Sequence, residues 1–269
     1  MDVDALIEIL STAAMWLGRS WLRFAIVCGG SFLLFWVVFA RRFAHRRCQP
    51  GDVERSMHWR EFRNSMLGVI FFLTPMTLAA PLVMGGYTQL ELDPTATPWW
   101  LLIIQFIVVV VAADTWFYFT HRLMHHSRIY AWTHKLHHLA DNPSPLSGYA
   151  FSWAEGIVLG AFLPLLLLVM PVNVIVLAVF VNLFSLGEAY VHLGYEILPR
   201  WLARNPVGKL IGTSVMHSMH HEDGAYNFGV YFTWWDRALG TLHPDYTERY
   251  EAVTAQPLFA RTRALEQAE

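Results

Sequence analysis

Charged side chains are scarce in this 269-residue chain: only 15% of its residues are Asp, Glu, Lys or Arg, whereas 55% are hydrophobic. In an ordinary soluble domain about a quarter of the residues are charged, and the mean hydropathy here is +0.35. The composition therefore predicts an integral membrane protein. The net charge of −2 comes without any basic run of the kind that binds nucleic acid, so we expect no nucleic-acid partner.

Cysteine is equally rare, which excludes several site classes. The two cysteines, Cys28 and Cys48, lie in an apolar stretch and after a basic run, so a disulfide framework is not expected. Because neither lies beside a histidine cluster, zinc-finger and iron–sulfur sites are excluded as well. The chain also lacks a GxGxxG motif, a P-loop and an HExxH motif. A redox reaction would therefore need electrons from a partner.

A positively charged leader is absent too. The first twenty residues contain Asp2, Asp4 and Glu8 instead, which argues against a cleavable signal peptide. We interpret residues 1–21 as a short amphipathic lead-in to the first membrane span.

Long apolar runs are abundant, and a membrane-crossing helix needs about 20 such residues. Residues 22–40, 67–85 and 99–119 each predict one span. Residues 156–186 are apolar but contain Pro164, Pro171 and Asn173, so they form either a tight helical hairpin or one long, bent helix. The sequence predicts an all-α membrane bundle of about four spanning helices. Arg23 lies at the edge of the first predicted span, where its side chain could extend toward the membrane surface.

The arginines orient the predicted bundle. The connection between the first two spans contains Arg41, Arg42, Arg46, Arg47, Arg55, Arg60 and Arg63. The next connection, residues 86–98, has no lysine or arginine but carries Glu91 and Asp93. Under the positive-inside rule the arginine-rich connection is cytoplasmic, and the third span then returns to the cytoplasm just before His121.

Nine of the thirteen histidines form three clusters. The clusters are His121, His125 and His126; His134, His137 and His138; and His217, His220 and His221. In a helix, residues three and four apart share a face, so each cluster can direct two or three imidazoles at one point. Neutral imidazole is a good ligand for iron, zinc, copper and nickel. More than six imidazoles exceed the four ligands of a structural zinc ion, and two metal ions are therefore predicted.

Other candidate site residues lie near these clusters. Asp114 precedes His121 by two helical turns, and it would either accept the second ring N–H of a ligand histidine or pair with Arg122. His192 follows the predicted hairpin at the cytoplasmic end and is predicted to be a further ligand. Glu155, Glu188 and Asp236 are candidates for supporting carboxylates, and Glu188, four residues before His192, could also reach a metal itself.

Residues 114–241 resemble the fatty acid hydroxylase / sterol desaturase superfamily of membrane non-haem di-iron enzymes. The resemblance is carried by the order and spacing of four segments. They are Asp114-Thr-Trp-Phe-Tyr-Phe-Thr-His121-Arg-Leu-Met-His125-His126, Trp132-Thr-His134-Lys-Leu-His137-His138, His217-Ser-Met-His220-His221 and Tyr231-Phe-Thr-Trp-Trp-Asp236-Arg-Ala-Leu-Gly240-Thr241. The last segment and His192-Leu-Gly-Tyr195 resemble the methylsterol monooxygenase and sterol hydroxylase branch in particular.

The resemblance implies a four-span fold with a cytoplasmic helical cap that carries a di-iron centre. It also implies O2-dependent hydroxylation or desaturation of a lipid, with a sterol as the first expectation, and electrons from ferredoxin or cytochrome b5 with a reductase. The implied metal ligands are His121, His125, His134, His137, His138, His192, His217, His220 and His221. His126 remains an alternative ligand in its cluster, and Glu188 stands where some relatives supply another histidine.

Two alternatives to sterol oxidation remain open. One is a fatty acyl, carotenoid or other lipid hydroxylase, and the other, from a different class, is a membrane protein that binds or transports metal. We interpret residues 1–269 as one membrane-embedded domain. Its predicted segments are a lead-in (1–21), three spans (22–119), the first two histidine clusters (120–155), a hairpin (156–190), a cap (191–256) and a tail (257–269). The lack of a lysine-rich retention tail favours a bacterial inner membrane slightly over the endoplasmic reticulum.

Overall fold

The computed structural model describes residues 3–51 and 53–259, which are mostly helical. The α-helices are α1 (Val3–Phe24), α2 (Gly30–Phe32), α3 (Ala40–Phe43), α4 (Arg55–Met84), α5 (Trp99–Met124), α6 (Tyr130–Thr133), α7 (Trp153–Gly160), α8 (Phe162–Val169), α9 (Val174–Val191), α10 (Ser214–Glu222), α11 (Trp234–Ala238) and α12 (Tyr246–Val253). The two short strands are β1 (Leu90–Glu91) and β2 (Val172–Asn173). π-helical turns occupy Ala25–Gly29 and Leu33–Val38, and 3₁₀ turns occupy Ala44–Arg46, His137–Leu139, Pro145–Ser147, Arg200–Arg204 and Gly208–Leu210.

Within the part of the chain that the structure describes, four helices are long and apolar enough to cross a membrane: Leu6–Val38, Arg55–Met84, Trp99–Met124 and Val174–Val191. The predicted all-α bundle of four spans is thereby confirmed. The third span is longer than predicted, so that His121 belongs to the helix itself.

In the structure, residues 3–21 of the predicted lead-in are continuous with the first span, whose start is Leu6 and not residue 22. Residues 3–24 form one α-helix that runs directly into the first span. The reason is that no proline interrupts this stretch, and its acidic residues are confined to the first turns, where they suit the positive end of the helix dipole. Arg23 consequently lies near the middle of the 33-residue span and not at its edge.

Of the two arrangements left open for residues 156–186, the structure has the hairpin. The first arm is broken at Ala161 into α7 and α8, and the second arm is α9, which alone is long enough to cross a membrane. Asn173 starts α9, because its side-chain oxygen accepts a hydrogen bond from the backbone N–H of Ile175 at 2.9 Å. The ring centroids of Phe162 and Phe180, one in each arm, are 6.1 Å apart.

The first arm packs closely against α4. A side-chain carbon on Gly68 would collide with the carbonyl oxygen of Tyr149, and one on Gly160 would collide with the carbonyl oxygen of Phe72. Glycine at these two positions therefore lets the backbones approach, as small residues do between helices in membranes.

The two ends of the bundle are distinct. At one end β1 and β2 pair in parallel and join the acidic connection to the turn of the hairpin. At the other end Arg47 pairs with Tyr195 in an antiparallel bridge, and the Arg60 guanidinium donates to the carbonyl oxygen of Leu139 at 2.8 Å. The arginine-rich connection thus lies at the same end as the histidine clusters.

The segment after α9 covers that end and has its own small core. Its buried members are Cys48, Leu202, Val215, Met216, Met219, Tyr246 and Tyr250. Both cysteines are free and buried, in line with the expectation of no disulfide. Of the predicted tail, residues 260–269 lie outside the described residues.

Candidate metal centre

The predicted ligand histidines come from four separate parts of the chain that meet at one end of the bundle. His121 lies in the last turns of α5 and His125 directly follows it. His134, His137 and His138 lie in the tight turns between α6 and α7, and His192 directly follows α9. The remaining three come from α10, which begins at a cap where Thr213 accepts a hydrogen bond from the backbone N–H of Met216 at 3.1 Å.

The structure brings all nine of these histidines together in two groups. Within each group one ring nitrogen of every member lies within 4.8 Å of those of the others. The five-histidine group consists of His121, His125, His134, His138 and His220, and the four-histidine group consists of His137, His192, His217 and His221. His126, the alternative ligand of the first cluster, is exposed and belongs to neither group.

In the five-histidine group, contacts at Nδ1, the nitrogen that faces away from the centre of the group, determine the protonation of Nε2, which faces the centre. Nδ1 of His121 lies 2.8 Å from the carbonyl oxygen of Phe228, and Nδ1 of His220 lies 2.6 Å from that of Tyr226. Nδ1 of His134 lies 2.7 Å from Oε1 of Glu155. Since a carbonyl oxygen can only accept, Nδ1 of His121 and Nδ1 of His220 carry the proton. The contact of Nδ1 of His134 with the Glu155 side chain favours the same tautomer, and each such neutral ring presents a bare lone pair at Nε2.

These lone pairs face each other. Nε2 of His121 is 2.9 Å from Nε2 of His134, and two bare lone pairs at that distance repel unless a cation lies between them. Two imidazole nitrogens bound at adjacent positions of one metal ion, each about 2.1 Å from it, are about 3 Å apart. The donor set therefore fits a metal ion.

The four-histidine group converges in the same way. Nδ1 of His192 donates to the carbonyl oxygen of Glu188 at 2.9 Å. The opposite nitrogen, Nε2, lies 2.9 Å from Nε2 of His217 and 3.2 Å from Nε2 of His137. Nε2 of His221 is 3.2 Å from Nε2 of His217. The spacing again suits nitrogens that share one ion.

Burial keeps the imidazoles neutral, which is their metal-binding form. Loss of hydration lowers the pKa of His125 to about 3 and the pKa of both His192 and His220 to about 4. The pKa values of His134, His137, His138, His217 and His221 are also lowered by burial, with the neighbouring imidazoles as a second cause. None of these rings needs to lose a proton at neutral pH before it binds a metal.

Two of the candidate carboxylates contact ligand histidines. Glu155 is fully buried beside His134, the arrangement in which a carboxylate orients a metal-binding imidazole. Glu188 is buried too, but its nearest carboxylate oxygen is 3.7 Å from Nδ1 of His192. That distance is longer than a hydrogen bond.

The other two candidate carboxylates, Asp114 and Asp236, accept hydrogen bonds from backbone N–H groups and not from a histidine. For Asp114 this contradicts both interpretations, a histidine partner and an ion pair with Arg122. Oδ1 of Asp114 accepts from the backbone N–H groups of Tyr231 and Phe232, each at 3.2 Å, and Arg122 donates to the hydroxyl of Tyr118. The reason is distance, because seven helical residues separate Asp114 from His121 by about 10 Å along the axis. Asp114 thus ties α5 to the 231–232 segment.

Asp236 has a comparable structural role. Its two carboxylate oxygens accept from the backbone N–H groups of Phe228 and Gly229 at 2.9 and 2.8 Å. It therefore holds the segment whose carbonyl oxygens orient His121 and His220.

The role of residues 226–228 in orienting His121 and His220 was not predicted from the sequence. Asn227, between the two residues whose carbonyl oxygens accept from His220 and His121, has a positive φ of 59°, a conformation that asparagine tolerates better than most residues. Its side chain donates to the carbonyl oxygen of Met216 at 3.0 Å and accepts from the backbone N–H of His243 at 2.8 Å. An asparagine six residues after a histidine cluster was the available signal.

An apolar cavity of about 390 Å³ lies between α1, α4, α5, α7, α8 and α9. Phe117 in its wall has its ring centroid 5.0 Å from that of His121. One layer of aromatic side chains thus lies between the cavity and the histidines. The residues that line this cavity were not predicted from the sequence.

The fold and the site define a class: a membrane-embedded helical protein with two adjoining groups of buried histidines that fit two metal ions. Comparison with known proteins narrows this class to one family. Residues 106–241 match the fatty acid hydroxylase family. This match spans half of the chain, and the chain belongs to that family. The predicted family is confirmed, and with it the enzyme class, an oxidoreductase.

The similar proteins act on sterols by name. The chain is 28% identical to methylsterol monooxygenase 1 of Rattus norvegicus over 228 residues, which cover 81% of this chain and 73% of the rat protein. It is 30% identical to lathosterol oxidase of Homo sapiens over 183 residues, 66% of this chain and 56% of the human protein. It is 32% identical to the Delta(7)-sterol 5(6)-desaturase of Gibberella zeae over 145 residues, 53% of this chain and 38% of that protein. No solved structure matches the chain.

Proposed function

We propose that this protein is a di-iron lipid oxidoreductase that uses O2 to hydroxylate or desaturate a sterol or a closely similar lipid. The observation that carries the proposal is the placement of two converging histidine groups one aromatic layer away from an apolar cavity. The similar proteins are named as a sterol monooxygenase, oxidase and desaturase, which supports a sterol as the substrate. Because these names include both reaction types, the proposal covers an alcohol and an alkene as products.

The nine histidines of the two groups would hold the metal ions, and the irons, when bound, would supply the oxidising chemistry that imidazole side chains lack. The rest of the site positions these ligands. Backbone carbonyl oxygens of Phe228, Tyr226 and Glu188 fix the proton of three rings on Nδ1, and the Glu155 side chain lies beside Nδ1 of His134. Such partners hold each ring in the orientation and tautomer that bind metal.

The cavity would present the lipid to this centre. Its volume of about 390 Å³ falls within the usual range of ligand pockets. Phe117 and Tyr149 belong to its walls. Both rings shield the substrate from water, which suits oxidation of an apolar carbon.

The distribution of arginines supports an orientation. Since the arginine-rich connection lies at the histidine end of the bundle, the positive-inside rule favours a metal centre on the cytoplasmic face. We propose an integral-membrane location, with a bacterial inner membrane slightly favoured over the endoplasmic reticulum. Electrons would come from ferredoxin or cytochrome b5 with a reductase. Residues 1–269 would act as one catalytic domain with residues 191–256 as its cap.

The test is metal content together with activity in detergent-purified protein. Mass spectrometry should find about two irons per chain in the wild type and fewer in His137→Ala, with His243→Ala as the control because His243 lies outside both groups. A sterol supplied with O2 and a reductase system should then gain one oxygen or lose two hydrogens. One zinc or no metal, unchanged in His137→Ala, would contradict the proposal.

A further inference from the structure

The cavity next to the metal centre has an unusual chemical feature on its α1 side. Its walls are built mainly from apolar side chains such as Val69, Leu73 and Phe180. Among the described residues that line it, the only charged ones are Arg19 and Arg23, and both come from α1. A neutral lipid offers these guanidinium groups at most a hydroxyl or carbonyl oxygen and no counter-charge.

The two arginines act as a pair. Residues four apart on a helix are neighbours on one face, and like charges at that spacing repel each other. Both line the same cavity as Val69 and Leu73 of α4. The geometry therefore concentrates two positive charges beside apolar helices.

Neither guanidinium has a hydrogen-bond or ion-pair partner within residues 3–51 and 53–259, whereas Arg46, Arg60 and Arg204 all have such contacts. A charged side chain in a membrane-spanning segment is costly and normally pairs with another group. Guanidinium groups bind carboxylate, sulfate and phosphate oxygens through paired, charge-assisted hydrogen bonds. Arg19 is exposed and Arg23 half-buried, and an anion of this kind would supply the partner that both lack.

We propose that the lipid bound in this cavity carries one anionic group, a carboxylate, sulfate or phosphate, which Arg19 and Arg23 hold. This inference rests on the proposed function for the identity of the cavity as the substrate site. An occupant with its anion at α1 extends its apolar body toward Phe117 of α5, whose ring contacts His121. The two arginines then determine both which lipids bind and which end of the lipid faces the metals.

The test compares two sterols that differ only in the anion. Equilibrium binding of radiolabelled cholesterol sulfate and cholesterol is measured on the detergent-purified full chain, and no turnover is needed. Wild type should bind the sulfate at least about tenfold more tightly. The double variant R19Q/R23Q should lose that preference and keep its affinity for cholesterol, and R19K/R23K should retain part of it. Arg55→Gln, an exposed arginine outside the cavity, should change nothing.

A second variant separates the cavity from the surrounding bilayer, because anionic phospholipid headgroups offer the same chemistry. Met76→Trp places a larger side chain in the cavity wall and should weaken binding of both sterols. Equal affinities of wild type for the two sterols would overturn the inference. So would a sulfate preference that survives R19Q/R23Q, or sulfate binding that is sensitive to the arginines but insensitive to Met76→Trp.

The outcomes also separate this inference from the proposed function. A sulfate preference in a protein that contains no iron would leave the inference standing and remove the proposed activity. An iron protein that oxidises neutral sterols and shows no preference for the sulfate would do the reverse.

Discussion

The five-histidine and four-histidine groups differ in what holds their rings. In the five-histidine group three rings have an oxygen within 2.8 Å of Nδ1: those of His121, His134 and His220. In the four-histidine group only Nδ1 of His192 has a comparable oxygen among the described residues, the carbonyl oxygen of Glu188 at 2.9 Å, and Nδ1 of His137, His217 and His221 is buried without one.

Burial differs in the opposite sense. Every member of the four-histidine group is buried, whereas His125 and His138 of the other group are half-buried. The first group is therefore oriented by hydrogen bonds and open on one side, while the second is held by packing and closed. We infer that the two proposed metal ions would be retained unequally. The reason is that a hydrogen bond to the outer nitrogen of a ligand imidazole raises its affinity for metal.

The largest expected effect is on metal affinity, and it depends on how many imidazoles remain in each group after one is removed. His217→Ala leaves three imidazoles in its group, and the affinity of that group for its metal should fall more than about 100-fold. His138→Ala leaves four imidazoles in the other group, so its loss should be clearly smaller. Metal per chain is measured by mass spectrometry after dialysis against a weak chelator. Equal losses in the two variants would contradict the comparison.

The next effect tests orientation by hydrogen bonding. Glu155→Gln removes the carboxylate beside Nδ1 of His134, and the five-histidine group should lose metal affinity by about 10–100-fold. Metal titration followed by charge-transfer absorption measures the change. Glu251→Gln is the matched control, because it breaks only exposed contacts with Arg200 and Arg204. An unchanged affinity in Glu155→Gln would show that packing alone orients His134.

The smallest effect concerns the carboxylate of the four-histidine group. Because His192 already donates to the backbone carbonyl of Glu188, and the side chain is 3.7 Å away, Glu188→Gln should weaken metal binding by less than about tenfold. Iron stoichiometry and affinity measured as for His217→Ala provide the check. A loss as large as in His217→Ala would instead identify Glu188 as a ligand.

Much of this architecture could be predicted from the sequence. Apolar run lengths predicted four spans because the hydrocarbon core has a fixed thickness, and the structure has four. The histidines were predicted as one site, because spacings of three and four put imidazoles on one helix face. The structure brings all nine predicted ligands together.

The errors have a common physical origin. The limits of the first span and the partner of Asp114 were misjudged because helix ends and carboxylate partners depend on what packs against them. Arg23 was placed at the edge of a span, whereas the helix starts at Val3 and directs this residue into a cavity. Local patterns carry no information on these neighbours.

The sequence by itself determined that the chain is a membrane bundle with enough imidazoles for two metals. Only the tertiary structure decided how they are shared. His137 and His138 are adjacent in sequence but belong to different groups, and His220 is separated in the same way from His217 and His221. The division arises because adjacent side chains point in different directions, and each group is completed by residues from distant segments that only folding brings within a few ångströms.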